Sequence, residues 1–211
     1  MKRFFQPLLL AVSLLVAPRE SVAQGSPPTP EEEAKVIAVL GLVPGKVVGE
    51  IGAGRGQLAI SVAKAVGPGG RVYATELPSM RDLLRRNAKE AGVSNLEVVA
   101  AESETTGLAP ECCEAVFMRD VYHHLTAPGL ILADIRKALR PEGRLLIIDF
   151  EPRASLPAVD GVKENRRGHG IFMSLLVEEL KEAGFEVVSQ DPAWRSGLFA
   201  VTARLGPKPA K

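Results

Sequence analysis

Apolar and polar residues change period repeatedly along the chain, and the changes divide it into short alternating elements. Compact apolar runs at 47–51, 71–76, 96–101, 115–119 and 144–150 read as strands buried on both faces. Between them, helical spacing of apolar residues appears at 57–66, 79–91 and 128–139, and again at 173–183. A helix over 30–40 precedes all of these: Thr29 is its N-cap, Pro30 its first residue, Glu31, Glu32 and Glu33 lie favourably against its dipole, and Gly41 stops it. Strands alternating with helices predict a parallel sheet covered on both faces. The last two strands, 185–189 and 198–203, are joined by a link over 190–197 with no room for a crossover helix, so they must run antiparallel. The expected fold is α/β, a three-layer sandwich whose mostly parallel seven-stranded sheet ends in an antiparallel hairpin. It forms one domain over 30–206, without internal repeats.

The ends of the chain add a destination. Met1-Lys2-Arg3 precede an apolar stretch whose uninterrupted core, 8–16, is too short to cross a bilayer as a helix, and Ser21-Val22-Ala23 follow it. That order predicts a signal peptide over 1–23, a proline-rich linker over 24–29 and a periplasmic or secreted protein with no membrane span once the signal is removed. An uncleaved N-terminal anchor is the alternative. Residues 207–211 read as a disordered tail.

Composition narrows the partners. With 46% hydrophobic residues in 211 the chain can bury a sizeable core, and a formal net charge of +1 supplies no field for steering onto nucleic acid or anionic lipid. A small molecule is the expected substrate. The adjacent pair Cys112-Cys113 is expected to stay unbonded, because neighbouring residues do not reach ordinary disulfide geometry and two thiols alone make no tetrahedral zinc site. Capture of a soft metal by the vicinal dithiol is the sharper alternative.

The main chemical signal is the run from Val48 to Leu58, where a strand, a glycine loop and a helix follow one another. Gly52, Gly54 and Gly56 permit a tight turn against which a ligand can lie, and the helix beginning at Gln57 presents unpaired N–H groups to an anion. Glu76 ends the next strand, twenty residues beyond Gly56, where a carboxylate can accept both hydrogen bonds of a ribose diol. Capping of the following helix is the plainer role for it.

With Glu50 ahead of Gly52-Ala53-Gly54-Arg55-Gly56, the loop resembles the first motif of the class I, Rossmann-like S-adenosylmethionine-dependent methyltransferases. The likeness extends through 67–76, Asp120-Val121-Tyr122-His123-His124 and 139–144, and is narrower with exported bacterial members carrying a similar D-V-Y-H-H stretch. It implies S-adenosyl-L-methionine as cofactor. Glu50, Gly52, Ala53, Gly54 and Gly56 would surround the methionine part, Glu76 would hold the ribose, and Leu77 and Met80 would flank the adenine. Glu102 would approach the adenine amine, with Glu104 as the fallback.

Methyl transfer from a sulfonium needs alignment and, for some acceptors, removal of a proton. Asp120, at the tip of the fourth strand, faces the methionine end in this reading, and Tyr122, His123 and His124 continue toward the substrate. His123 or His124 is the candidate base, against a purely packing role. The 151–170 segment reads as a solvated loop or a lid in which Arg166, Arg167 and His169 close over an acidic substrate. Trp194 and Phe199 are expected to pack in the core. Two rival readings stand beside the enzyme: a non-catalytic module that binds the same cofactor, and an NAD(P)-dependent oxidoreductase, which the absence of G-x-G-x-x-G disfavours.

Overall fold

The computed structural model describes residues 26–163, 166 and 169–206. The expected signal peptide, the first two residues of the linker, the 207–211 tail and Arg167 lie outside the described residues. Seven strands, β1 (Val47–Ile51), β2 (Arg71–Glu76), β3 (Leu96–Ala100), β4 (Cys113–Arg119), β5 (Leu139–Asp149), β6 (Phe185–Arg195) and β7 (Leu198–Leu205), form one sheet. Their order is β3-β2-β1-β4-β5-β7-β6. The first five run parallel and β7 is antiparallel to both β5 and β6, the architecture the alternation of elements predicts.

Strand alternation supplies the two cores. Val48, Ala115 and Phe117 point to one face, where they meet Val36 of α1 (Pro30–Leu40), Leu58 and Val62 of α2 (Gln57–Val66) and Leu84 of α3 (Pro78–Glu90). On the other face, Ile51, Val116 and Met118 meet Ile131 and Ile135 of α4 (Pro128–Ala138) and Leu176 and Leu180 of α5 (Met173–Glu182). Each buried side chain of this size contributes about 1.5–3 kcal/mol of transfer free energy, so both helix layers are held by apolar burial.

Helix ends follow the sequence. Thr29 accepts from the Glu32 amide, and Gly41, at φ 64, closes α1 in a left-handed cap. Two strands depart from expectation. β5 begins at Leu139, and 140–143 form an unpaired excursion within it, with Glu142 at φ 63, so that the register jumps from Cys113↔Leu139 to Ala115↔Arg144. β6 runs on to Arg195 through most of the expected link; it lies at the sheet edge, where Pro192 and polar side chains are tolerated. No helix among the described residues is long and apolar enough to cross a membrane.

Candidate active site

The parallel pairing of β1 with β2 sets Ile51 beside Thr75, so the glycine loop and Glu76 leave the sheet side by side. Gly52, Gly54 and Gly56 all have positive φ, at 68°, 55° and 83°. The turn is fastened at both ends: the Ala53 amide donates to the Thr75 carbonyl at 3.0 Å and the Gly56 amide to the Ala53 carbonyl at 2.8 Å. Glu76 completes it, accepting from the Gly54 amide at 2.6 Å through Oε2 and from the Leu77 amide at 2.7 Å through Oε1. Glu76 thus ties the glycine loop to the residue that precedes α3 but caps no amide of the helix, whose N-cap Leu77 has no side-chain cap bond, and the carboxylate oxygens keep further lone pairs for a diol.

Glu50 lies beneath this loop with its carboxyl fully enclosed. Burial, then the nearby Glu76 charge, pushes its pKa up to about 8, against a hydrogen bond from the Ala59 amide. Its Oε2 has no hydrogen-bond partner among the described residues. A buried polar atom in that condition costs free energy until a donor reaches it. The ammonium of an amino-acid ligand is such a donor, so the residues present fit a methionine-type group over the glycine loop.

Around the rim, Leu77 is half exposed although apolar, and Met80 follows it on the first turn of α3. Glu102 and Glu104 are exposed beyond β3, where the Ala101 amide donates to the Glu76 carbonyl at 3.1 Å. Asp120 follows β4 in a left-handed conformation, φ 61, and its amide donates to the Ile148 carbonyl at 2.9 Å. Aspartate is among the residues that tolerate this conformation. Val121 then packs against Gly52 so closely that a Cβ there would fall 2.7 Å from its Cγ2. The glycine is thus required twice, by its φ and by its neighbour.

Next to Asp120, a single 3-10 turn over Tyr122–His124 carries the histidine pair. His123 is buried, and its Nδ1 lies 2.7 Å from Asp149 Oδ1 while its amide donates to Oδ2 at 3.1 Å. Asp149, fully buried, was not singled out from sequence, although a lone acid closing the apolar run 145–148 is the signal that finds it. The ring of His124 stands 4.0 Å from that of His123, and His169 comes in from the loop after β5, with its ring 5.0 Å from His123 and 5.3 Å from His124. Burial, then the neighbouring His123 and His169, holds the His124 pKa down to about 4. His124 is therefore neutral at pH 7 and a weak base.

Other sequence expectations need correction. Tyr122 does not face substrate; it is fully buried, and its hydroxyl donates to Glu179 at 2.6 Å. Arg166 is buried as well, with its guanidinium spent on the carbonyls of Leu125 and Tyr122 and on Glu179, so it braces the loop instead of reaching a ligand. Cys112 and Cys113 are joined in a vicinal disulfide. The pair stands at the start of β4, directly after a left-handed residue, Glu111, at φ 50.

Trp194 and Phe199 are buried, as expected, and Trp194 has a further part. Its Nε1 donates to Glu32 at 3.1 Å, and the same carboxylate accepts from Arg119 at 2.9 Å and Arg195 at 2.8 Å. These hydrogen bonds overcome the effect of burial and hold the Glu32 carboxyl below its usual range. Ser26 and Pro27 of the expected linker accept from the same two arginines. The start of α1 is thereby anchored to the sheet end that carries Arg119 and Asp120. A separate cleft, lined by Glu151, Arg153, Met173 and Phe199 among others, shares no residue with the glycine loop and lies beside the segment bearing His169.

A family model described as a methyltransferase domain matches residues 49–147. The ubiquinone/menaquinone biosynthesis C-methyltransferase UbiE of Bordetella avium is 29% identical over 119 residues, covering 56% of this chain and 46% of that protein. The highly reducing polyketide synthase PKS6 of Gibberella zeae is 28% identical over 128 residues, 55% of this chain and 5% of the synthase. The chain spans about half the length of the UbiE relatives it matches. Among solved structures, a SAM-dependent methyltransferase from Aquifex aeolicus superposes with a TM-score of 0.68 at 26% identity, covering 81% of this chain and 88% of that one. The [4+2]-cyclase SpnF reaches the same TM-score at 17% identity, over 83% and 81% of the two chains, and shares the fold alone. Residues 49–147 match the methyltransferase-domain model, the chain shares the class I α/β fold of the Aquifex enzyme, and S-adenosylmethionine is the cofactor these likenesses imply.

Proposed function

We propose that this chain catalyses methyl transfer from S-adenosylmethionine to a small-molecule acceptor, and that it works outside the cytoplasm after removal of residues 1–23. The observation that carries the first part is the union of Glu76 with the glycine loop at 2.6 Å, beside the unsatisfied Glu50 carboxyl. One surface then offers bare main chain and a buried acid for the methionine part, a second carboxylate for the ribose, and Leu77 and Met80 for the adenine, with Glu102 near its amine. The cofactor brings a methyl group already activated on a sulfonium. The protein's share is to hold it in line with the acceptor and to receive any proton the acceptor sheds.

The acceptor side in this reading is the turn from Asp120 to His124 together with His169. Of the two candidate bases, His123 is better supported than His124, because Asp149 fixes its ring through Nδ1, whereas His124 is held down to about 4. Export is supported by the charged, apolar and small-residue order of the N-terminus and by the Cys112–Cys113 disulfide, a bond that persists in oxidising compartments.

Titration of the purified chain with S-adenosylmethionine, its demethylated product and NAD is the test, followed by incubation with methyl-labelled cofactor and cell extract. Binding of the first two compounds, none of NAD, and label recovered in a small molecule are expected. Binding without transfer to any acceptor would reduce the chain to a cofactor-binding module, and selective binding of NAD would overturn the reading.

A further inference from the structure

The chain has three histidines, and all three converge. His123 comes from the turn after β4 and His124 from the next position, while His169 comes from the segment after β5, so two separate parts of the chain contribute. One ring nitrogen from each lies within 4.8 Å of the others. Three such nitrogens around a tetrahedral ion at about 2.0–2.1 Å stand roughly 3.3 Å apart. Ligation requires the half-buried His124 and His169 to close that difference.

The orientation of the rings is set from outside the cluster. Asp149 and the Pro157 carbonyl can only accept, so Nδ1 of His123, at 2.7 Å, and Nδ1 of His169, at 3.1 Å, are the donors in these contacts. In the neutral ring that leaves Nε2 as the lone-pair nitrogen in both. Metal-bound histidines are held in this way, with the far nitrogen donating to a carboxylate or a backbone carbonyl that fixes tautomer and direction. An independent observation points to a missing occupant: Nε2 of His123 is wholly buried and has no hydrogen-bond partner among the described residues. Packing alone would leave that lone pair unsatisfied in the interior.

We propose that His123, His124 and His169 form a binding site for a divalent transition-metal ion of the zinc class. Neutral imidazoles suit that class, and three of them leave a fourth position open. The site rests on the imidazole geometry alone and does not depend on methyl transfer. Because Val121 packs against Gly52, the ion sits a short way along the chain from the glycine loop, on the side given to the acceptor. There it would hold an acceptor oxygen and ease loss of its proton, taking over the task of a free imidazole.

The test uses the full chain without a histidine tag, stripped with chelator and titrated with Zn2+ or Co2+. One equivalent should bind, and the Co2+ form should show the intense visible bands of a four- or five-coordinate nitrogen site, without sulfur-to-metal charge transfer. His169→Ala and His124→Ala, each verified as folded by thermal unfolding, should weaken binding at least 10-fold. Substoichiometric binding, a weak octahedral spectrum, sulfur ligation, or unchanged affinity in folded His169→Ala would each overturn the proposal.

Discussion

The carboxylate of Asp149 holds His123 by ring and main chain together, with Oδ1 2.7 Å from Nδ1 and Oδ2 3.1 Å from the amide nitrogen. Oδ1 also accepts from the Phe150 amide at 2.9 Å. Asp149→Ala strands these buried donors and should lower unfolding stability by about 3 kcal/mol, whereas Asp149→Asn keeps an acceptor and should lose about half as much. Urea unfolding of the two variants measures the difference. Equal losses would mean that volume, and not hydrogen bonding, sets the cost.

Glu50 makes stability depend on pH in the alkaline direction. Its folded pKa is about 8 against an ordinary 4.5, so between those values the unfolded chain releases a proton that the folded chain keeps. The Glu50 contribution is full below pH 4.5, declines as pH rises toward 8 and stays low beyond it. Glu50→Gln should remove this decline and be the more stable protein at pH 9. Parallel stability profiles for the two proteins would contradict it.

Glu32 has the opposite sign, since its folded pKa is lowered and its contribution disappears as pH falls below the carboxylate range. With Arg119 almost buried beside it, Glu32→Ala should cost about 3–5 kcal/mol, because a buried guanidinium loses its partner. Chemical unfolding at pH 7 tests this. A loss below about 1 kcal/mol would show that the anchoring of α1 is energetically minor.

Gly56 and Gly92 separate backbone strain from crowding. Both have positive φ, but a Cβ at Gly92 meets open space while one at Gly56 runs into the Leu84 side chain. Gly92→Ala should cost about 1 kcal/mol and Gly56→Ala about 2–4 kcal/mol by thermal unfolding. Similar values for the two would show that Leu84 yields.

Much of this was legible in the sequence because periodicity and glycine placement are local properties. The ranges of β1, α1 and α2 follow from apolar spacing, and the antiparallel end follows from a link too short for a helix. The edge strand β6 was read short because Gln190, Asp191 and Pro192 look like a loop until the sheet's edge is known. Likewise, Asp149 and Arg166 gain their parts only through contacts far along the chain, and the same holds for the meeting of His169 with the pair at 123–124. The vicinal disulfide runs against the expectation that neighbouring residues stay outside ordinary disulfide geometry.

Calorimetric titration of S-adenosylmethionine into the wild-type chain and into Glu76→Ala tests the central claim most directly. Saturable binding by the wild type, weakened by about 1.5–3 kcal/mol in a folded Glu76→Ala protein, is the predicted result. A wild-type chain that ignores the compound, or a variant that binds it equally well, would contradict the account.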